Sequence, residues 1–308
     1  MSRGQPFTVQ RRHQLLAQRG CLAALLFGWF DWLLPTLIHA PPPYPVGVAQ
    51  YVDFSFLADP DLRGALRVGI VLALIPYTFG VAMPFAIGAL ALLWTGAGAL
   101  ACSHGDLSHS TQLVALVLIA QFLAYAKTGL VRRINGDTSA CDDGHELAVW
   151  YTQQVIVASY VVAGVTKLVR SSGQWMLLGP NLAVQIARTH DQAYYSSLPD
   201  GLMEHGTSLA TFLLAHPKLT NLMLGTALLL ELGAVVALVD RRIRIAIGLA
   251  LLAMHLGIRH LMMIDFARHE RLILVYLAEL PVLGTSLLGW LWTRWTHLHP
   301  SRPSDSPR

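Results

Sequence analysis

Apolar residues in this chain gather into long runs separated by short polar or proline-containing breaks, and the runs have the length of membrane-crossing helices. Eight are read, over residues 15–38, 66–81, 84–102, 111–127, 147–169, 219–239, 243–263 and 272–292. The second is short, and Pro76 interrupts it. A long stretch, 170–218, separates the fifth run from the sixth. Within it, 175–188 carries Leu178, Leu182, Val184 and Ile186 at helical spacing, which predicts a short helix lying at the membrane surface. Tyr194, Tyr195, Leu198 and Pro199 continue as an interfacial, partly apolar loop.

Composition turns this pattern into a fold class. Of 308 residues 54% are hydrophobic and 13% are charged, whereas soluble domains carry roughly 25% charged residues. The expected architecture is an all-α integral membrane protein, a bundle of about eight transmembrane helices. The net charge of +4 does not point to nucleic acid, because the basic residues fall in short clusters at the ends of apolar runs. Arg11, Arg12 and Arg19, then Lys127, Arg132 and Arg133, then Arg241, Arg242 and Arg244, and finally Arg294 all fit one alternating assignment with both termini in the cytoplasm. Residues 1–12 form a cytoplasmic tail, 13–293 the bundle with 170–218 on its outer face, and 294–308 a polar, disordered tail. The first run reads as a retained helix rather than a cleaved secretory signal: it is long, contains Trp29, Asp31 and Trp32, and has Ile38 where a cleavage site wants a small residue. Three cysteines, Cys21, Cys102 and Cys141, are too scattered for a disulfide framework or a zinc site, and nucleotide-binding and zinc-protease motifs are absent.

Against this apolar background the polar residues stand out. Lys167 lies in the fifth run, and an ammonium inside a membrane layer is costly enough to suggest function. Stepping by three and four residues places Gln153, Val157, Tyr160, Gly164 and Lys167 on one helix face. With the fifth run directed outward, Lys167 sits near its outer end, level with His109 at the start of the fourth. His255 lies deeper in the seventh run, roughly 16 Å along the axis from Arg244 at 1.5 Å per residue, and Glu231 is at a comparable depth in the sixth. His255, Arg259, Met262 and Phe266 share a face. Such a set offers general acid–base chemistry, in which a lysine made neutral by burial takes a proton from a phenol-like substrate. Blander readings stay open. Lys167 can snorkel to the headgroups, and Glu231 with His255 can form a structural interhelical hydrogen bond. His260 and Asp265 fit solvated loop-edge residues. Trp29, Trp94, Trp150, Trp290 and Trp292 fit interfacial anchors. Asp31 and Glu279 have no evident role.

The run Tyr160-Val161-Val162-Ala163-Gly164-Val165-Thr166-Lys167-Leu168, followed by Trp175, resembles the Tyr-x-x-Ala-Gly-x-x-Lys-Leu…Trp signature of the vitamin K-dependent gamma-carboxylase family, shared by the wider HTTM (horizontally transferred transmembrane) domain proteins. Leu107-Ser108-His109-Ser110 resembles the carboxylase's Asn-His-Ser segment. Glu231-Leu232-Gly233-Ala234 and the stretch from His255 to Phe266 resemble the last helices the family shares. The resemblance covers roughly residues 10 to 290. It implies that Lys167 deprotonates a reduced quinone of the vitamin K or menaquinol type, with His109 in the same active site and His255 a further membrane-region histidine. Taken with the stripe and the depths above, the expected pocket draws on Tyr160, Gly164, Gln153, Trp175, Glu231, His255 and Arg259. The departures are equally specific. The carboxylase's large lumenal region has no counterpart after the eighth run, Thr166-Lys167 stands where the carboxylase has Lys-Lys, and the spacing from Lys167 to Trp175 is longer.

The leading expectation is therefore an outward-facing site in a bacterial plasma membrane, with Lys167 as general base on a quinol-like or other lipophilic substrate. The partners implied are membrane lipid and a secreted peptide. One alternative is a non-enzymatic maturation or export partner of such a peptide, with 170–218 as the docking surface. Another is a proton-coupled transporter using Glu231 and His255.

Overall fold

A computed structural model describes residues 9–106, 109–135, 143–198 and 201–288. The expected polar tail at 294–308, Trp290, Trp292, Pro199 and the first eight residues lie outside this set. Among the described residues all regular secondary structure is helical, with no strand. Eleven α-helices are distinguished: α1 (Val9–Thr36), α2 (Arg63–Phe79), α3 (Met83–Ser103), α4 (His109–Asn135), α5 (Asp143–Arg170), α6 (Gly179–Ser197), α7 (Leu202–Ala215), α8 (Pro217–Gly233), α9 (Arg241–Met262), α10 (Ala267–Tyr276) and α11 (Leu280–Leu288). Five of them, α3, α4, α5, α8 with its 3₁₀ extension to Leu238, and α9, are long and apolar enough to cross a membrane. The pair α10–α11, bent by 46°, forms a sixth if it is counted as one span.

The helices α1 and α2 pack into the same core without meeting that standard of length and apolarity. The first helix starts at Val9, so the segment expected to be a tail is helical from that residue on. Pro76 does not interrupt α2, which continues to Phe79 and ends on Gly80. Pro76 removes the N–H that would bond to the Leu72 carbonyl, and the helix runs on only to Phe79. What ties α2 into the bundle is a buried polar knot. Tyr77 Oη donates to Gln121 Oε1 at 2.9 Å, and Gln121 Nε2 donates to Tyr276 Oη at 2.8 Å and Thr152 Oγ1 at 3.1 Å. Four helices (α2, α4, α5 and α10) meet in this one network, and no water is needed to satisfy it. Trp29 and Trp94, expected at the interface, belong to the core instead. Trp94 is fully buried, with Phe30 edge-on at 5.0 Å and its Nε1 donating to Thr111 O at 2.9 Å.

The last expected span is broken. Between α10 and α11 the chain turns through Leu277–Glu279, with Glu279 at φ +52°. Pro281, without an N–H, stands in the first turn of α11 and cannot continue the α10 ladder. The turn directs the Glu279 carboxylate at α9, where it accepts from Arg241 Nε at 2.7 Å and from Arg244 NH2 at 2.7 Å. Asp31 is likewise paired, with Arg67 of α2. Gly248 is what lets α9 approach the broken segment, since a Cβ there would lie 2.9 Å from Leu277 Cβ and 3.0 Å from the backbone nitrogen of Ala278. Backbone cannot move aside as a flexible side chain can. Gly248→Ala is expected to lower thermal stability in detergent by about 1–3 kcal/mol. Gly257→Ala on the same helix, where an added Cβ meets nothing within 4 Å, should be neutral or slightly stabilising. Equal melting temperatures for the two variants would show that the crossing is not tight.

The 170–218 segment folds into more than a surface helix and a loop. Trp175 sits in a 3₁₀ turn, and Tyr194 and Tyr195 belong to α6. The helices α6 and α7 form a hairpin with its own apolar cluster (Ala183, Ile186, Ala210 and Leu213), packed against Met223, Leu261 and Met262. Gly206 allows the hairpin to close on His190, whose Cβ would lie 2.4 Å from a Cβ at that glycine. The hairpin thus caps the bundle at the end where α9 terminates.

Candidate functional site

The helical stripe on α5 faces inward along its whole length. Val157 and Tyr160 are buried. Gly164 brings α5 against α8, since a Cβ at that position would lie 2.9 Å from Leu232 Cδ2 and 3.4 Å from Glu231 Cβ. One turn further on, the Lys167 ammonium pairs with the Glu231 carboxylate. The lysine side chain is 28% exposed and the glutamate 7%, so the pair sits at the edge of the packed interior. The Trp175 ring covers the ammonium at 5.3 Å from its centroid. Lys167 is therefore held by a carboxylate and an aromatic face.

A second couple lies one to two turns toward the middle of the bundle. Tyr160 Oη is 3.2 Å from His255 Nε2. Phe266 stacks on the His255 ring at 4.7 Å, and His269 stands edge-on at 5.9 Å. Phe266 does not share an α9 face with His255, because α9 ends at Met262 and Met263 takes a left-handed conformation. Phe266 instead reaches back from the α9–α10 turn. Beyond it, Arg259 pairs with Asp265 at 3.0 Å and with Glu270.

The polar atoms facing this cluster are unevenly satisfied. Glu231 Oε2, His255 Nδ1, His269 Nδ1, Glu270 Oε1 and Arg259 Nε are all buried and have no hydrogen-bond partner among the described residues. Five such atoms in one neighbourhood is an unusual concentration, because buried polar groups are ordinarily paired. Beside them opens a cleft of about 540 Å³, lined by Arg259, Asp265, Glu270 and Arg271 and by the apolar Met263 and Leu274. Lys167 does not line this cleft, whereas the paired Arg259 and Glu270 do.

Of the residues expected at the site, Lys167, Tyr160, Gly164, Trp175, Glu231, His255 and Arg259 are brought together. The expected link between Glu231 and His255 is absent; each has another partner, Lys167 and Tyr160 respectively. His109 is exposed at the start of α4. Gln153 is separated from the site altogether. Its Nε2 donates to Tyr276 O at 3.0 Å, and Lys167 lies roughly 21 Å further along the helix at 1.5 Å per residue. His269 and Glu270 were not anticipated, because the polar run Arg268-His269-Glu270-Arg271 reads as a loop preceding an apolar span. The available signal was their spacing, three and four residues after Phe266, which places them on its side of a helix.

Among the described residues no group of three or more His, Cys, Asp or Glu side chains is arranged to hold a metal ion. No family model, no curated protein and no solved structure matches the chain.

Proposed function

We propose that the chain is an eight-span membrane protein of the HTTM type, counting α1, α2 and the bent α10–α11 pair as spans, with both termini in the cytoplasm. The Lys167 site then faces outward and carries out general acid–base chemistry on the hydroxyl of a quinol-like, lipid-soluble substrate. The observation that carries this reading is the set of buried, unpartnered Glu231 Oε2 and His255 Nδ1 atoms directly beside the Lys167–Glu231 and Tyr160–His255 couples. A hydroxylated aromatic head would supply the missing donors and acceptors, and the neighbouring cleft combines apolar walls with polar termini as small-molecule sites do.

The protein's own part in the reaction follows from the ion pair. In the resting state the lysine is an ammonium and is not a base. Transfer of one proton from Lys167 to Glu231 gives a neutral amine beside a neutral carboxylic acid. The amine then accepts the substrate's hydroxyl proton, and the restored ammonium sits against the substrate oxyanion. Tyr160, fixed through His255, forms the inner wall, and Trp175 shields the ammonium from water. A reduced naphthoquinone titrated into purified protein should bind saturably, and Lys167→Ala should weaken binding at least tenfold. Lys167→Arg retains the charge pair and the fold but cannot present a neutral amine. It should therefore bind the quinol without ionising it, as read from the absorbance of the quinolate. Full-strength binding in Lys167→Ala, or quinolate formation in Lys167→Arg, would refute the reading.

A second reading, docking of a secreted peptide, draws support from the α6–α7 hairpin, which packs as its own unit and exposes Val184, Tyr195 and Phe212. Removing 179–215 would abolish capture of such a peptide and leave quinol binding intact if docking were the function.

A further inference from the structure

The connection between α1 and α2 carries an apolar surface that neither the Lys167 site nor the core uses. From Ala40 to Val52 the chain has no charged residue, and Asp53 is the only one between His39 and Asp59. Tyr44 is 80% exposed and Tyr51 is 86% exposed, and Val46, Val48, Val52 and Phe56 are exposed beside them. A contiguous exposed apolar surface of this kind marks a place of contact. The segment is also tightly built. Pro41, Pro42, Pro43 and Pro45 have no N–H to satisfy. Val46 N donates to Ser103 Oγ, at the end of α3, at 3.0 Å. Ala49 N donates to Val46 O at 3.2 Å, and Tyr51 N and Val52 N both donate to Val48 O at 3.1 Å. Ser55 N donates to Asp53 Oδ1 at 2.8 Å and Leu57 N to Phe54 O at 3.0 Å. Much of the backbone is thus satisfied without water, as a segment lying against lipid requires.

Phe54 fixes the depth of the segment. Its ring is buried on Gly96 of α3, where an added Cβ would lie 2.5 Å from Phe54 Cδ1. The 3₁₀ turn that follows, Ser55–Ala58, packs against α1, α2 and α3. Gly96 lies roughly 10 Å of helical rise before Ser103, so the chain descends along α3 between Val46 and Phe54. The Asp31–Arg67 pair marks what surrounds that level. Phe30 packs edge-on against Trp94, and Asp31, next in the chain, stands beside it. Both partners of the ion pair are about half exposed. An exposed ion pair on the flank of two spans belongs at the headgroups and not among acyl chains.

From this we infer that the α1–α2 connection is an interfacial anchor, lying in the headgroup layer with Tyr44, Val48, Tyr51, Val52 and Phe56 against the headgroup–acyl boundary. Its partner is the phospholipid surface. Tyrosine suits that boundary, with an apolar ring and a hydroxyl that reaches water. In the topology proposed above the leaflet is the outer one, which the Lys167 site also faces. The inference rests on that reading only in taking α1 and α2 as spans.

Spin labels on the full-length protein in phosphatidylcholine nanodiscs provide the test. Labels are attached at Tyr51→Cys, Phe56→Cys, Leu72→Cys or Asp106→Cys, one at a time, in a background carrying Cys21→Ser, Cys102→Ser and Cys141→Ser. Collision with oxygen, which concentrates among acyl chains, is compared with collision with a water-soluble nickel chelate. Leu72, 64% exposed on α2, calibrates lipid, and Asp106, exposed past the end of α3, calibrates water. The Tyr51→Cys and Phe56→Cys labels should give oxygen-to-nickel ratios at least about threefold above that of Asp106→Cys and no higher than that of Leu72→Cys. Water-like ratios at both loop sites, with Leu72→Cys lipid-like, would overturn the inference and leave the eight-span reading standing. Loop labels shielded from both reagents would place protein against this surface and overturn it equally. A water-like Leu72→Cys label would overturn α2 as a span, and the anchor with it.

Discussion

Lys167→Met is expected to lower the unfolding free energy by about 2–3 kcal/mol, and adding Glu231→Leu is expected to restore most of the loss. The single substitution leaves the Glu231 carboxylate, whose side chain is 7% exposed, without its cation. Removing one member of a buried pair typically costs about 3–5 kcal/mol. The figure is set lower here because the lysine side chain is 28% exposed and water shares in its solvation. Taking away the carboxylate as well removes the uncompensated charge and substitutes apolar packing against Leu232 and Gly164. Denaturation of the single and double variants in detergent, analysed as a double-mutant cycle, gives the coupling directly. Additive losses would mean that the two side chains do not depend on each other and that the site is misread. The cycle also separates structure from chemistry, since a stable double variant has lost both the amine and the carboxylate.

Glu279→Gln is the second substitution with a large expected effect, about 2–4 kcal/mol of destabilisation. One carboxylate accepts from two arginines at the break between α10 and α11. The two are not equal. Arg241 is half-exposed, and losing its partner costs little, whereas the Arg244 side chain is 14% exposed and would be left charged in the packed interior. Arg244→Met in the Glu279→Gln background should therefore recover most of the stability, and Arg241→Met should recover little. If both recover equally, or neither does, the pairing at the break is not what holds the bent segment in place.

Much of the architecture was legible because membrane helices advertise themselves by length and apolarity, and the six later runs correspond to the apolar helices and the bent pair. The stripe on α5 was legible for the same reason that amphipathic faces are: the period of 3.6 residues is fixed by backbone geometry. Which polar residues pair was not legible. Glu231 has His255 at a similar depth, yet its partner is Lys167, because Gly164 draws α5 onto α8 at that level. Depth along an axis ranks candidates, but azimuth decides among them. The turn at Glu279 was missed because the run around it stays apolar, and only Pro281 and an otherwise unexplained carboxylate hint at a break. The α6–α7 hairpin is not legible as a pair, because its inner face sets small residues (Ala183, Gly206, Ala210) around only Ile186 and Leu213, which leaves little periodic signal.

The chemistry proposed rests on the Lys167–Glu231 and Tyr160–His255 couples forming one binding site for a lipophilic quinol. Mass spectrometry of the quinones and lipids that co-purify with the Lys167→Met/Glu231→Leu protein tests this most directly, because that variant is expected to remain folded. The account predicts a quinone in the wild-type extract and at least a tenfold smaller amount from the variant at equal protein. A wild-type level of quinone in the folded variant, or none in either protein after reconstitution with menaquinol, would contradict it.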